Sequence, residues 1–178
     1  MAKISREELI KHLTPPPGIT MPPYPAKRDR VYRTSLVAVA AGMAAAAVAA
    51  FLRSGTALFW IQGFVSLGLA VAGWTFLVWL KEWRWVVRSL VILGLVIWPF
   101  WSIGGWALTI AGSAIMAAKE THCFHFWAGR VIPWYSVLFG AGMILSAPWW
   151  LMGILWAGLA YLWISLVRGR WTLPLFEV

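Results

Sequence analysis

Residues 35–52 read SLVAVAAGMAAAAVAAFL, eighteen consecutive positions with no charge and only Ser35 as a polar side chain. A helix of about 20 apolar residues covers the hydrocarbon core of a bilayer, so this run predicts a transmembrane helix. The rest of the chain has the same character. Of 178 residues, 61% are hydrophobic and only 12% charged, whereas soluble domains carry about 25% charged residues. A chain this short cannot hide so much apolar surface from water, and its solvent is predicted to be lipid.

Outward from residues 35–52, five more apolar runs follow. Thr56 to Leu80 is long enough to tilt. Ser89 to Trp101 and Gly104 to Ala118 are separated by Pro99 and the Gly104-Gly105 pair, with a turn expected over 99–105. Val131 to Ser146 and Pro148 to Val167 divide at Ala147-Pro148. The expected fold is therefore all-α, a polytopic transmembrane bundle of six helices in three tight hairpins. A four-span alternative would merge spans three with four and five with six. Each merged stretch would run to about 30 residues, too long for one crossing without steep tilt.

Charge tests the count. With six spans, fourteen of the fifteen Lys and Arg fall on one side, leaving only Arg53 on the other. Basic residues concentrate on the cytoplasmic side of membrane proteins, so both termini are expected there. Residues 1–33 form a cytoplasmic tail on this reading, 34–168 the membrane domain and 169–178 a second cytoplasmic tail. Most of the fifteen Trp cluster near the ends of the runs, among them Trp60, Trp83, Trp85, Trp98, Trp101, Trp149 and Trp150. Indole is amphipathic and suits the headgroup level. An aromatic belt is the preferred reading, ahead of stacked indoles that contact a pigment or quinone.

The tail has its own signals. Met1 to Arg33 has no apolar segment of the signal-peptide kind, so the first span is expected to remain in the mature protein. Ser5-Arg6-Glu7-Glu8 matches a capping box, with Ile4 and Leu9 as a hydrophobic staple. A short helix from Ser5 to Leu13 is expected, followed by a polyproline-type linker over Pro15 to Pro25. Lys27, Arg28, Arg30 and Arg33 then form a juxtamembrane cluster expected to contact lipid headgroups. The formal net charge of +9 is read as a membrane signature, with no nucleic-acid partner, because no folded basic module accompanies it.

No Asp, Glu, Lys, Arg or His falls inside the six runs, although such residues usually mark pumps and ion pathways. Small residues four apart, Ala38 with Gly42, Ala41 with Ala45 and Ala107 with Ala111, favour close helix packing. Enzyme motifs are missing. Gly63 to Gly68 misses the G-x-S-x-G spacing, H-E-x-x-H is absent, and a single cysteine excludes a dithiol enzyme. The expectation is a protein that is not an enzyme.

The stretch with the most chemistry is KETHCFHFWAGR, Lys119 to Arg130. If it is helical, His122 and His125 share one face while Glu120 and Cys123 share another. His122, Cys123 and His125 are thus a candidate metal or haem set, short of the usual four ligands. A reactive thiol at Cys123 is the second reading, since Lys119 and the imidazoles favour the thiolate while Glu120 and burial oppose it. An interfacial connection whose polar groups cap helix ends is preferred, and no cofactor is expected.

The string Ala118-Lys119-Glu120-Thr121-His122-Cys123-Phe124 carries a K-E-x-x-C-F pattern. It resembles the signature of the integral membrane proteins catalogued as domain of unknown function 2301. Tyr32-Arg33-Thr34-Ser35, the basic-aromatic link after the second span and the Phe176-Glu177 ending are also similar, so that the resemblance covers about Val31 to Val178. It implies a polytopic membrane protein of a kind common in photosynthetic bacteria, and no reaction. His122 and His125 depart from its mostly apolar positions. The expected location is the plasma (inner) membrane, or the thylakoid in a photosynthetic host. The expected role is a scaffold, accessory or assembly subunit, with lipid, a membrane-protein partner or a second copy as partners. The alternative is a small carrier or channel for a neutral solute or a metal handled by Cys123 and the histidines.

Overall fold

The computed structural model describes residues 26–76, 78 and 80–173. The expected helix over Ser5 to Leu13 and the proline-rich linker lie outside these residues. Six helices account for nearly all the described chain: α1 (Ala26–Phe51), α2 (Gly55–Thr75), α3 (Lys81–Ile97), α4 (Ser102–Phe124), α5 (Trp127–Ile144) and α6 (Trp149–Trp171). There is no strand among the described residues. Of the six, α1, α2 and α6 are long and apolar enough to cross a membrane.

Each helix packs on its neighbours in sequence, α6 returns against α1, and α2 also meets α4. Short connections make sequential neighbours antiparallel. One end of the bundle therefore gathers every Lys and Arg of the described residues except Arg53, together with Asp29, Glu82 and Glu120. We call it the polar end. The other end carries the connections at residues 52–54, 98–101 and 145–148.

Two of those connections close by the same device. Ser54 N–H donates to Ala49 O and Arg53 N–H to Ala50 O; Ala147 N–H donates to Gly142 O and Ser146 N–H to Met143 O. These paired bonds form Schellman motifs, which place one residue in the left-handed region. Here those residues are Arg53 (φ 55°) and Ser146 (φ 52°). Ser54 then caps α2 by accepting from Ala57 N–H.

The turn between α3 and α4 differs from expectation. It occupies residues 98–101, and Gly104-Gly105 lie inside the first turn of α4. Gly105 serves contact with α3: a Cβ on Gly94 would approach Gly105 O to 2.7 Å, and one on Gly105 would approach Gly94 O equally closely. The two helices thus meet backbone to backbone, which side chains would prevent. Ala41 and Ala45, expected to favour packing, are exposed; the neighbouring Gly42, Ala46 and Ala50 carry that role.

Helix ends also move relative to the apolar runs. α1 begins at Ala26, so residues 26–33 are helix continuous with the first span. α3 starts at Lys81 and α4 runs on to Phe124, absorbing half of KETHCFHFWAGR. Lys, Glu and Arg propagate helices well, so a helix need not stop where the apolar run does. The exterior carries large apolar side chains, among them Phe100, Trp134, Ile144 and Leu145. A water-soluble monomer rarely exposes contiguous surface of this kind.

Candidate functional site: a buried ion network at the polar end

The extension of α1 places Asp29, Tyr32 and Arg33 on one helical face, at spacings of three and four residues. That face turns inward. Asp29 is 1% exposed and Arg33 is 4% exposed. The last turns of α4 bring Lys119 and Glu120 to the same place, and the last turn of α6 brings Arg170. Glu120 and Arg170 are equally buried, at 0% and 2%.

The groups pair closely. Arg33 Nε donates to Asp29 Oδ2 at 2.7 Å, and Arg170 Nη2 to Asp29 Oδ1 at 2.6 Å. Arg170 Nη1 reaches Glu120 Oε2 at 3.4 Å. The other oxygen, Glu120 Oε1, accepts from Tyr32 OH at 3.1 Å and from Lys119 Nζ at 3.3 Å. Arg33 Nη1 donates to Leu173 O at 2.7 Å, past the end of α6. Arg170 thus bridges two carboxylates from two different helices, and every carboxylate oxygen has a donor.

Aromatic rings wall the network. The Arg170 guanidinium lies 4.5 Å from the centroid of Phe124 and 5.7 Å from that of Tyr32; Lys119 Nζ lies 5.0 Å from Phe124 and 5.8 Å from Phe76. Ring faces attract cations most where water is excluded. Taking ions out of water costs several kcal/mol each, so such a network persists only when its members are paired. It can tie α1, α4 and α6 in one register. It offers no unpaired carboxylate as a base.

The residues expected to form a site fare differently. His122 and His125 are exposed, and Cys123 is a half-buried free thiol. α4 ends at Phe124 and His125 adopts φ 54°, so the helical spacing that would align the two imidazoles is lost. Among the described residues no three His, Cys, Asp or Glu side chains converge in a way that could hold a metal. Cys123 lies beyond the apolar run that ends at Ala118. Burial pushes its thiol above the ordinary range, Lys119 draws it down, Glu120 adds to the rise and Arg170 opposes it, with burial dominant. The Thr121 hydroxyl donates to Phe126 O at 3.0 Å across the connection, whereas no side chain caps the N-terminus of α5.

Of the four residues expected at lipid headgroups, Lys27 and Arg30 are exposed. The other two bond to the protein, Arg33 in the interior and half-buried Arg28 at its edge. Arg33 belongs to the ion network. Arg28 donates to Trp74 O at 2.8 Å and Thr75 O at 3.2 Å, at the C-terminus of α2. A helix C-terminus carries partial negative charge and unpaired carbonyls, and α2 has no basic residue of its own in its last turn.

A signal for the network exists in the sequence. The chain has only six Asp and Glu, and Asp29 and Glu120 both sit beside cations at the margin of an apolar run. A scarce carboxylate at helical spacing from Tyr and Arg, as in Asp29-x-x-Tyr32-Arg33, marks a face that can be buried once its charges pair. No protein family model, no curated protein and no solved structure matches this chain.

Proposed function

We propose that this protein is a multi-pass inner-membrane protein whose six helices all cross the bilayer, with both termini cytoplasmic, and that it serves as a non-catalytic scaffold, accessory or assembly subunit of a membrane complex. The observation that carries this reading is the division of its polar and apolar groups. The buried charges are engaged with one another at one end, while large apolar side chains face outward along the flanks. A carrier would be expected to keep polar groups facing a cavity. A flank groove between α4 and α5 is lined by apolar side chains apart from Ser136, and one between α1 and α2 is apolar along Ala38, Phe64, Leu67 and Val71, with Arg30, Thr34 and Ser35 along its α1 wall. The resemblance to the domain of unknown function 2301 proteins remains part of the proposal, carried by the Lys119-Glu120 and Cys123-Phe124 pairs.

Two experiments test it. A reporter active only in the periplasm should be silent when fused at Val178 and active when inserted near Gly104; the reverse at either position refutes the topology. A photo-crosslinking residue at exposed Trp134 should yield one discrete protein adduct in native membranes. Saturable flux of a solute or metal through liposomes holding the purified chain alone would instead favour the carrier reading.

A further inference from the structure

A second cationic feature stands apart from the ion network, where α1, α2 and α3 meet at the polar end. Arg28 Nη2 and Arg88 Nη2 donate to the same oxygen, Trp74 O, at 2.8 and 3.1 Å. These two nitrogens cannot be farther apart than the sum of those distances. Arg84, one helical turn before Arg88 on the same face of α3, adds a third positive charge. Both Arg28 and Arg84 repel the charge on Arg88.

Capping of α2 accounts for part of this arrangement. One guanidinium suffices to satisfy the carbonyls of Trp74 and Thr75, and Arg28 already reaches both. A second guanidinium at the same oxygen, with a third nearby, exceeds what the helix end requires. Among the described residues no carboxylate forms an ion pair with Arg84 or Arg88, and Arg88 Nε is shielded from solvent with no hydrogen-bond partner.

The surroundings indicate where the missing anion comes from. The Arg88 guanidinium lies 4.9 Å from the Trp74 ring and 5.7 Å from the Trp85 ring. Both indoles are more than half exposed, at a level where α2 ends and α3 begins. Half-exposed indoles at the end of apolar helices sit at the lipid headgroups. The anion most abundant there is lipid phosphate, and guanidinium forks match its oxygens.

We propose that Arg28, Arg84 and Arg88, framed by Trp74 and Trp85, bind the phosphate of an anionic lipid headgroup. The phosphate sits beside Trp74 O, accepts from Arg84 and Arg88 and offsets the repulsion among the three guanidiniums, and the indoles flank the glycerol and upper chain region. This inference rests on the membrane reading and is independent of the accessory role.

The test uses the full chain in a non-ionic detergent, incubated with equal amounts of phosphatidylglycerol and phosphatidylcholine, with retained lipid counted by native mass spectrometry. The intact protein should retain phosphatidylglycerol over phosphatidylcholine by on the order of a hundredfold, as expected for three charges worth about 1 kcal/mol each. Arg84→Gln with Arg88→Gln should remove most of that preference. Arg168→Gln, an exposed cation at the same end, should leave it within about twofold, as for a charge outside the site. Should the double variant fail to fold, half-buried Arg84→Gln alone must still reduce the preference. An unchanged preference in the Arg84 variant, or an equal loss with Arg168→Gln, overturns the site. Displacement of the lipid by millimolar inorganic phosphate overturns the assignment to a lipid. If alkaline carbonate extracts the chain from membranes, the membrane reading itself fails, which is a distinct result.

Discussion

The two ends of the bundle hold their helices together by opposite means. At the polar end, α1, α4 and α6 are joined by Asp29, Arg33, Glu120 and Arg170, all buried and charged. In the other half, α4, α5 and α6 are joined by Trp106, Phe139 and Trp156, all buried and apolar in contact. Ring centroids there stand 4.7 Å apart for Phe139 and Trp156, and 5.2 Å for Trp106 and Trp156. Aromatic packing tolerates small shifts, because many weak contacts share the energy. A bridged ion network does not, because one misplaced partner strands another charge in a dry site. The polar end should therefore set helix register, and the aromatic end should supply bulk cohesion.

The largest effect should come from breaking the bridge. Arg170→Met leaves Asp29 Oδ1 and Glu120 Oε2 without their Arg170 donor, although Arg33 and Lys119 still pair with the two carboxylates, and removing one partner from a buried ion network costs about 3–5 kcal/mol. Thermal unfolding in mild detergent should show a large drop in midpoint. Replacing all five charged members together, Arg170→Met, Asp29→Asn, Glu120→Gln, Arg33→Met and Lys119→Met, should recover much of the loss, because no charge of the network is then left without a partner. Trp156→Ala should cost about 3 kcal/mol, with no comparable rescue by a second substitution. If this fully neutralised variant is no better than Arg170→Met alone, the contrast between the two ends is wrong.

That contrast was only half legible in the sequence. Apolar runs and their breaks predict the number and order of helices, because lipid-facing and core-facing positions are both apolar and only turns interrupt them. The aromatic half follows from Trp and Phe inside those runs. The polar end does not, because hydropathy reports where apolar residues stop, whereas helices stop where backbone bonds are replaced. Lys81, Glu82, Arg84, Arg88, Lys119 and Glu120 propagate a helix well, and the helices continue through residues 81–88 and 119–124. Arg33 and Arg170 read as topology signals for the same reason. A charge near an apolar run looks alike whether it faces headgroups or a carboxylate on another helix, and only packing separates the two.

Cys123 measures how dry the polar end is. Burial dominates its environment and pushes the thiol up, against the pull of Lys119. The thiolate is the reactive form, and an ordinary cysteine is half ionised near pH 8.5. Native Cys123 should therefore react with maleimide several-fold more slowly at neutral pH than the unfolded chain does. Its rate should keep climbing through pH 8.5, where an ordinary thiol begins to level off. Lys119→Gln should slow it further by removing the cation that favours the thiolate. A native rate profile with its inflection at or below pH 8.5 would mean that burial does not outweigh the Lys119 and Arg170 charges at this end.

The smallest effect lies in the turns of the other end, where two left-handed residues differ only in what their side chains touch. Ser146 and Arg53 each hold a Schellman turn at positive φ without being glycine. A side chain in this region costs about 1 kcal/mol relative to glycine. Ser146 is exposed, and its hydroxyl makes no hydrogen bond among the described residues, so Ser146→Gly should raise stability by most of that amount. Arg53→Gly gives the same backbone relief but loses the guanidinium stacked 4.1 Å from the Trp149 ring, worth about 0.5–1 kcal/mol at an exposed site. The two changes should nearly cancel. A clear gain for Ser146→Gly with little change for Arg53→Gly would assign the Arg53 side chain a stacking role at the apolar end. Equal gains would mean that the Trp149 contact contributes nothing, and that even Arg53, the one cation of the described residues at this end, leaves cohesion to the rings and the turns.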